Sequence, residues 1–366
     1  MTDARCAVVG SGLAALAAYA THRHRGLAPE EIAVFGTHAD PTAVWAERAR
    51  SIRQQRMRSE SEGHLGAASF PGLSVHEWMR TGSYRPLVAS LVDRYHPTVD
   101  EFVAHAQWIR ERSGWDRSFT ERRIERIRAV DGGFELDGDG PFAHVLVATG
   151  HPGLLRPPEY ETAVHAYEPH EYASRVAIVG AGMAAATEWL NALEAGAEVV
   201  SIRRRPPLRR SLSAPRPLFS KRGLSSFHRT TPTARASILR DVSAPSYPPG
   251  SAWDDPLDRA MAASQFRVSD TSQTQTWAEQ VICATGFRRG WQRDTLLSDL
   301  VEAHALETHE GWIVLAPDST VPALTDGRRT LSLAGVAGQW AFPAADTIAG
   351  AKYAARAFLR HSCRTR

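Results

Sequence analysis

The run Gly10-Ser11-Gly12-Leu13-Ala14-Ala15 fits the pattern G-x-G-x-x-A, and Gly180-Ala181-Gly182-Met183-Ala184-Ala185 repeats it. In such a run the first glycine permits a tight turn and the second lets a pyrophosphate approach the backbone. The small third residue lets a helix pack closely on a strand. The helix start that follows, with its free amides, is a seat for phosphate. One run of this kind is weak evidence, because glycine turns are common. Two are strong when each lies between an apolar strand ("CAVV", "VAIV") and an alanine-rich helix. They predict two dinucleotide sites in one chain.

The strand after each turn carries more information. An Asp or Glu at its end binds a ribose 2′-hydroxyl, whereas an Arg accommodates a 2′-phosphate. After the second turn, "EVVSI" runs into Arg203-Arg204-Arg205. That cluster favours NADPH over NADH, with Arg203 or Arg204 on the 2′-phosphate. After the first turn the matching position is Gly36, and the acid is missing. Asp40, Thr37 and His38 are the polar groups nearby.

Other chemistries find little support. The three cysteines, Cys6, Cys283 and Cys363, form no CxxC pair, so neither a zinc cluster nor a dithiol relay is available. Cys6 and Cys283 sit in apolar strand-like runs, as buried small hydrophobes do. No G-x-S-x-G nucleophile elbow is present. "HRH" at His22 to His24 matches no zinc pattern, and no metal is expected. No catalytic acid or base can be named.

At 366 residues the chain suits two domains. Its 43% hydrophobic and 23% charged residues are those of a soluble globular protein. No run approaches the roughly 20 apolar residues needed to cross a bilayer. A strand beginning this early leaves no room for a signal peptide, and a cytoplasmic location is expected. Net charge is +3, with lysine only at Lys221 and Lys352. The positive charge is therefore nearly all arginine, suited to phosphate and carboxylate. The run from Arg203 to Arg229 is basic, but a nucleic-acid reading needs a concentrated basic face with aromatic or groove-reading elements and a nearer explanation exists for part of that run, so nucleic acid is not an expected partner. A homo-oligomer is left open.

Two further segments repeat, "HVLVATGHPG" ending at Gly153 and "QVICATGFRRG" ending at Gly290. With these the chain resembles the flavoproteins with two dinucleotide-binding domains. That superfamily includes flavin-containing monooxygenases, amine N-hydroxylating monooxygenases and thioredoxin-reductase-like enzymes. The resemblance runs from Val8 to about Phe358, specific for the superfamily and much less so for the reaction. It implies that Gly10, Ser11, Gly12 and Ala15 hold FAD and that Gly180, Gly182 and Ala185 hold NADPH. Thr149-Gly150 and Thr285-Gly286 would close the two nucleotide regions. "LSLAGVAGQWAFPAADTIAGAKYAARAF" looks like the closing FAD segment, bringing Asp346 and Thr347 near the flavin and Gln339 and Trp340 near flavin or substrate. The usual Gly-Asp pair reads Ala345-Asp346 here. Trp45 matches a tryptophan that monooxygenases of this type carry after the second strand. Arg53, Gln54, Arg58, Ser59 and His64 follow in a candidate loop over the flavin, with Gln54, Arg58 and His64 as substrate candidates.

The resulting fold class is α/β, with two Rossmann-like dinucleotide-binding domains, the second inserted in the first. The FAD domain comprises residues 1–158 plus 291–366 and the NADPH domain residues 159–290. "GHPGLLRPPEY" and "GFRRGW" are the crossings, both turn-rich. Two nucleotides across a cleft imply hydride transfer from nicotinamide to flavin, the cofactors carrying the difficult chemistry. By resemblance, the reduced flavin would meet O2 as a C4a-hydroperoxide and oxygenate nitrogen or sulfur of a small molecule. The alternatives are an NADPH reductase serving a quinone or redox protein, and an FAD-free NADP-binding regulator or nonredox protein.

Overall fold

The computed structural model of the chain describes residues 4–58, 72–91, 96–270 and 276–363. Two five-stranded sheets organise them. The first has the order Thr330–Leu333, His144–Val147, Cys6–Val9, Ile32–Gly36, Phe119–Glu121. The second has the order Val164–His165, Gln280–Cys283, Arg175–Val179, Glu198–Ile202, Phe266–Ser269. Every neighbouring pair is parallel. The two orders correspond. In each, the strand entering a glycine turn is central, its Ala-Thr-Gly strand lies on one side and the next strand in sequence on the other. The second sheet takes all its strands from within the stretch that separates His144–Val147 from Thr330–Leu333. This is the α/β architecture with two Rossmann-like units that the motifs predict.

Parallel sheets are covered by helices on both faces, so their strands read as continuous apolar runs. Cys6–Val9 and His144–Val147 are accordingly buried along their whole length. The helix Leu13–His24 packs between Ile348–Ser362 and Val99–Ser113. Its alanines permit close approach, and Tyr19 and His22 make the polar links. Tyr19 donates to the Gly114 carbonyl at 2.9 Å, and His22 Nε2 lies 2.8 Å from Ser362 Oγ. Helix Val99–Ser113 opens on a capping box, in which Thr98 Oγ1 accepts from the Glu101 amide while the Glu101 carboxylate accepts from the Thr98 amide. It stops at Gly114 in the left-handed region. The Thr98 cap contributes about 1 kcal/mol.

Three antiparallel strands, Ile127–Val130, Gly133–Leu136 and Asp139–Phe142, lead into the first Ala-Thr-Gly strand. Phe134 and Phe142 bury themselves in the same core as Phe35 and Val147. The two crossings between the sheets meet: Leu154 pairs with Phe287 in an antiparallel bridge. Leu155 N donates to Gly286 O and Arg288 N to Gly153 O, both at 2.9 Å. Among the described residues no helix is long and apolar enough to cross a membrane.

Candidate functional site

In each sheet the chain order reverses at the central strand, and ligands of open α/β sheets bind outside the carboxyl ends of strands at such a point. The glycine turns stand there. Gly10 has φ +118° and Gly180 φ +135°. A Cβ on Gly10 would lie 2.2 Å from the Ala148 carbonyl oxygen, and one on Gly180 would lie 2.4 Å from that of Ala284. Ala148 and Ala284 are the alanines of the two Ala-Thr-Gly segments. Each segment therefore recurs because its alanine carbonyl rests against the first glycine of a turn.

The second glycines face open space. A Cβ on Gly12 would meet nothing within 4 Å, and one on Gly182 only Pro245 at 4.0 Å. Both are helix N-caps with nearly the same backbone, φ −87° and ψ −168° at Gly12 against φ −88° and ψ −166° at Gly182. Neither helix has a side-chain cap or an acidic residue in its first turn. Their leading amides are left for an external acceptor, which is the arrangement that holds a phosphate.

Gly36 has a local cause. A Cβ there would lie 2.3 Å from Ser11 Oγ and 2.4 Å from Ser11 Cβ. Ser11, inside the turn, occupies the space that a ribose-binding acid would need. Asp40 is engaged elsewhere, its Oδ1 accepting from the Thr42 amide at 2.8 Å and hydroxyl at 2.7 Å. Thr37 and His38 are exposed at the strand end.

At the second site Arg203 is half-buried, its guanidinium 5.4 Å from the centre of the Trp189 ring. Burial holds its pKa below the ordinary arginine value. Arg204 and Arg205 are exposed. Of the two arginines expected at a 2′-phosphate, Arg204 is the more accessible.

Thr149 Oγ1 donates to Asp294 Oδ2 at 3.0 Å, and Thr285 Oγ1 donates to the Leu155 carbonyl. Gly150 and Gly286 follow with φ +80° and +78°. The next residues, His151 and Phe287, stack on each other with ring centres 4.5 Å apart. Tyr167 stacks on the same Phe287 at 4.9 Å, and the Arg48 guanidinium lies 4.7 Å from its centre. Burial, then the charge of Arg289, pushes His151 down to about 4. This stack joins the two Ala-Thr-Gly segments, and sequence reasoning did not name His151, Tyr167 or Arg48 as site residues. A signal existed, since His151 and Phe287 each follow an Ala-Thr-Gly.

The closing segment gathers around Arg289. Its guanidinium donates to Asp346 Oδ2 at 3.2 Å, to Gln339 Oε1 at 3.3 Å and to Ser243 Oγ at 3.1 Å. Gln339 and Arg289 line a cavity of about 230 Å³ together with Gly150, Trp291, Trp312 and Val336. Thr347 caps helix Ile348–Ser362, its Oγ1 accepting from the Gly350 amide at 3.2 Å.

Several expected residues are engaged by neighbouring side chains or main chain. Trp340 is 1% exposed and packs in the core, with the Arg235 guanidinium 5.0 Å from its ring centre. Arg58, expected at the substrate, directs its guanidinium at main-chain carbonyls of the second unit, among them Ser211 O at 3.1 Å. Gln54 Nε2 donates to the nearby Arg56 carbonyl at 2.8 Å. Trp45 packs edge-on against Phe102, ring centres 4.8 Å apart. Ser59 and His64 lie outside the described residues. Cys6 and Cys283 are buried and unpaired, and burial pushes their thiols up to about 12 and about 11.

No family profile and no curated protein matches the chain by sequence. Solved structures do match in fold. The ornithine N-hydroxylase KtzI of Kutzneria sp. 744, solved with reduced FAD, NADP+ and L-ornithine, has 14% identity and a TM-score of 0.72, with 99% of each chain covered. The FAD-bound cadaverine monooxygenase DfoA of Erwinia amylovora has 13% identity and a TM-score of 0.76, covering 99% of this chain and 94% of its own. A bacillithiol disulfide reductase of Bacillus cereus is also similar, at 13% identity, a TM-score of 0.61 and 99% of each chain covered. The chain thus has the fold of two-unit flavin and nicotinamide enzymes over nearly its whole length.

Proposed function

We propose that the protein is an NADPH-dependent flavoprotein monooxygenase that hydroxylates the nitrogen of a small amine. The observation that carries this reading is the matched pair of glycine turns, each backed by an Ala-Thr-Gly carbonyl and each opening an uncapped helix. Both cradles fit a dinucleotide, since the space beside Gly12 and Gly182 is where a pyrophosphate would lie. Residues 1–158 and 291–366 would carry FAD and residues 159–290 NADPH. FAD, when bound, would accept the hydride of NADPH and, once reduced, activate O2. The overall change is amine + O2 + NADPH + H+ giving hydroxylamine + H2O + NADP+.

The chain's own residues bind and exclude. Gly12 and Gly182 admit phosphate to the backbone amides, and Arg204 reads the 2′-phosphate. The stack of His151, Phe287, Tyr167 and Arg48 closes the joint between the units against water, which protects a reactive site. The likeness to the two amine monooxygenases favours nitrogen over sulfur. Against a dithiol reductase stand the buried, high-pKa thiols of Cys6 and Cys283.

The test is the visible spectrum after incubation with FAD and desalting, followed by NADPH and O2 consumption with a panel of amines. Retained flavin and a hydroxylamine labelled from ¹⁸O2 are expected. A colourless protein overturns the reading, and steady NADPH oxidation with no oxygenated product replaces it with a reductase.

Two variants probe the nucleotide assignments. Arg204→Ala is expected to raise the NADPH KM about tenfold, the scale of one lost charge-assisted contact, while NADH use barely changes. Equal effects on both coenzymes would contradict the assignment. Gly36→Asp, which restores the missing acid, is expected to weaken FAD retention because the new carboxylate collides with Ser11. Adding Ser11→Gly should restore it. Unchanged retention in the single variant would show that Ser11 yields freely.

A further inference from the structure

The stretch Ile52–Arg58 follows the second strand of the first sheet, and while its middle pairs with Pro97–Val99 of the first unit, its ends dock on the other. Ile52 is 2% exposed and lies in the apolar cluster of Ala184, Ala185 and Trp189, the helix behind the second glycine turn. Its carbonyl accepts from Asn191 Nδ2 of that helix at 2.8 Å. Arg53 reaches Glu171 at 3.2 Å and lies 5.0 Å from the Tyr172 ring centre.

Arg58 makes the most extensive contact. Its Nη2 donates to Arg210 O at 2.5 Å and Leu212 O at 3.0 Å, its Nε to Ser211 O at 3.1 Å, and its Nη1 to Ser246 O at 3.4 Å. These acceptors adjoin the short parallel pair Leu208–Arg209 and Ser246–Tyr247. Arg210 grips the same region from its own side, donating to Asp241 O and Ala244 O at 3.3 Å. Two guanidiniums thus hold a set of carbonyls. Burial, then the charge of Arg210, pushes Arg58 down to about 10, which leaves it charged at neutral pH.

The segments so held flank the second nucleotide cradle. One follows Arg203-Arg204-Arg205 after a few residues. The other contains Pro245, the residue nearest the open face of Gly182. We propose that Arg58 is a positioning residue for the second nucleotide site: by fixing the Arg210–Leu212 segment against Ser246 it holds the arginines after Ile202 in place for the 2′-phosphate of a dinucleotide. This rests on the NADPH reading above. A planar guanidinium offers five N–H groups in a rigid fork and can satisfy carbonyls from separate segments at once. An ammonium offers three donors from one point and cannot reproduce that pattern.

The experiment compares Arg58→Ala, Arg58→Lys and the parent for FAD content, NADP+ dissociation constant, and kcat and KM with NADPH and NADH. Arg58→Ala is expected to keep its FAD, to weaken NADP+ about tenfold and to raise the NADPH KM alike, while NADH KM stays within about twofold. Arg58→Lys should fall between. Unchanged NADP+ affinity, or equal weakening of both coenzymes, overturns the proposal, because general loosening would not select for the phosphate. If Arg58→Ala does not fold, Arg58→Lys and Arg58→Gln are judged by the same coenzyme ratio. A parent protein that binds FAD but no NADP+ would instead overturn the NADPH reading itself.

Discussion

Alanine at Gly10 is expected to give a protein that keeps no FAD, whereas alanine at Gly180 leaves a yellow protein that NADPH no longer reduces. At both positions a side chain faces two independent obstacles. The backbone stands at φ +118° and +135°, where L-residues are strained by about 1–3 kcal/mol. The added Cβ would also lie 2.2 Å and 2.4 Å from the carbonyl oxygens of Ala148 and Ala284. Those carbonyls cannot retreat easily. The Ala148 amide is tied to Val9 O at 2.6 Å and the Ala284 amide to Val179 O at 2.8 Å, so each alanine is locked to the strand that carries the glycine. The turn must move instead, and with it the amides meant for phosphate. A loss of about a hundredfold in affinity at the altered site corresponds to about 2.7 kcal/mol, within what these obstacles impose. Flavin absorbance after desalting and anaerobic reduction by NADPH read the two sites separately. Loss of both cofactors from either variant would contradict the division of labour.

Acidification is expected to unfold the protein well above the carboxylate range. His22, His144 and His165 are buried and each is pushed down to about 4, mainly by burial. The hydrogen bonds of His165 fit the neutral ring. His165 Nε2 lies 3.1 Å from Gly286 O, which needs a donor, while its Nδ1 accepts from the Tyr167 amide at 3.2 Å. A second ring proton would point at that amide. In the unfolded chain the same histidines take up protons near pH 6.5, so stability is complete above that pH and falls as pH drops from 6.5 towards 4. By pH 5 each contributes a loss of about 2 kcal/mol, together comparable with the whole stability of a typical domain. His170 acts in the opposite sense. Its link to the buried Glu188 at 2.9 Å raises its pKa, so its share of stability is present at low pH and lost as pH rises. Three histidines outweigh one. Urea unfolding at pH 7, 6 and 5 should therefore show a steadily falling midpoint, and a flat profile would contradict the buried, neutral state.

What could be read from the sequence were features that chemistry restricts to particular residue types. The glycine turns, the Ala-Thr-Gly segments and the inserted order of strands belong to that class, because few residues other than glycine accept those backbones. Gly36 could be noticed but not explained, since its cause is the Ser11 side chain across the turn. Arg58 was legible as an arginine near a site, but not as a clamp. A guanidinium bonded to carbonyls some 150 positions away leaves no periodic or spacing signal. The burial of Trp340 could not be read either, because a tryptophan in a segment rich in glycine and alanine gives no sign of the core side chains, Arg235 among them, that pack on its ring. His151 lay between these cases, marked only by following the first Ala-Thr-Gly as Phe287 follows the second.

The bridge between Leu154 and Phe287 bears on how such a chain can be assembled. The polypeptide departs from the first unit and returns to it through two adjacent segments joined by a single antiparallel bridge and two backbone hydrogen bonds, so the second unit is a loop closed by a short stem. Threading an extra module into a host at such a stem asks little of the host, whose own ends are already side by side. Loop-closure entropy grows only with the logarithm of loop length, so a module of this size adds little to it.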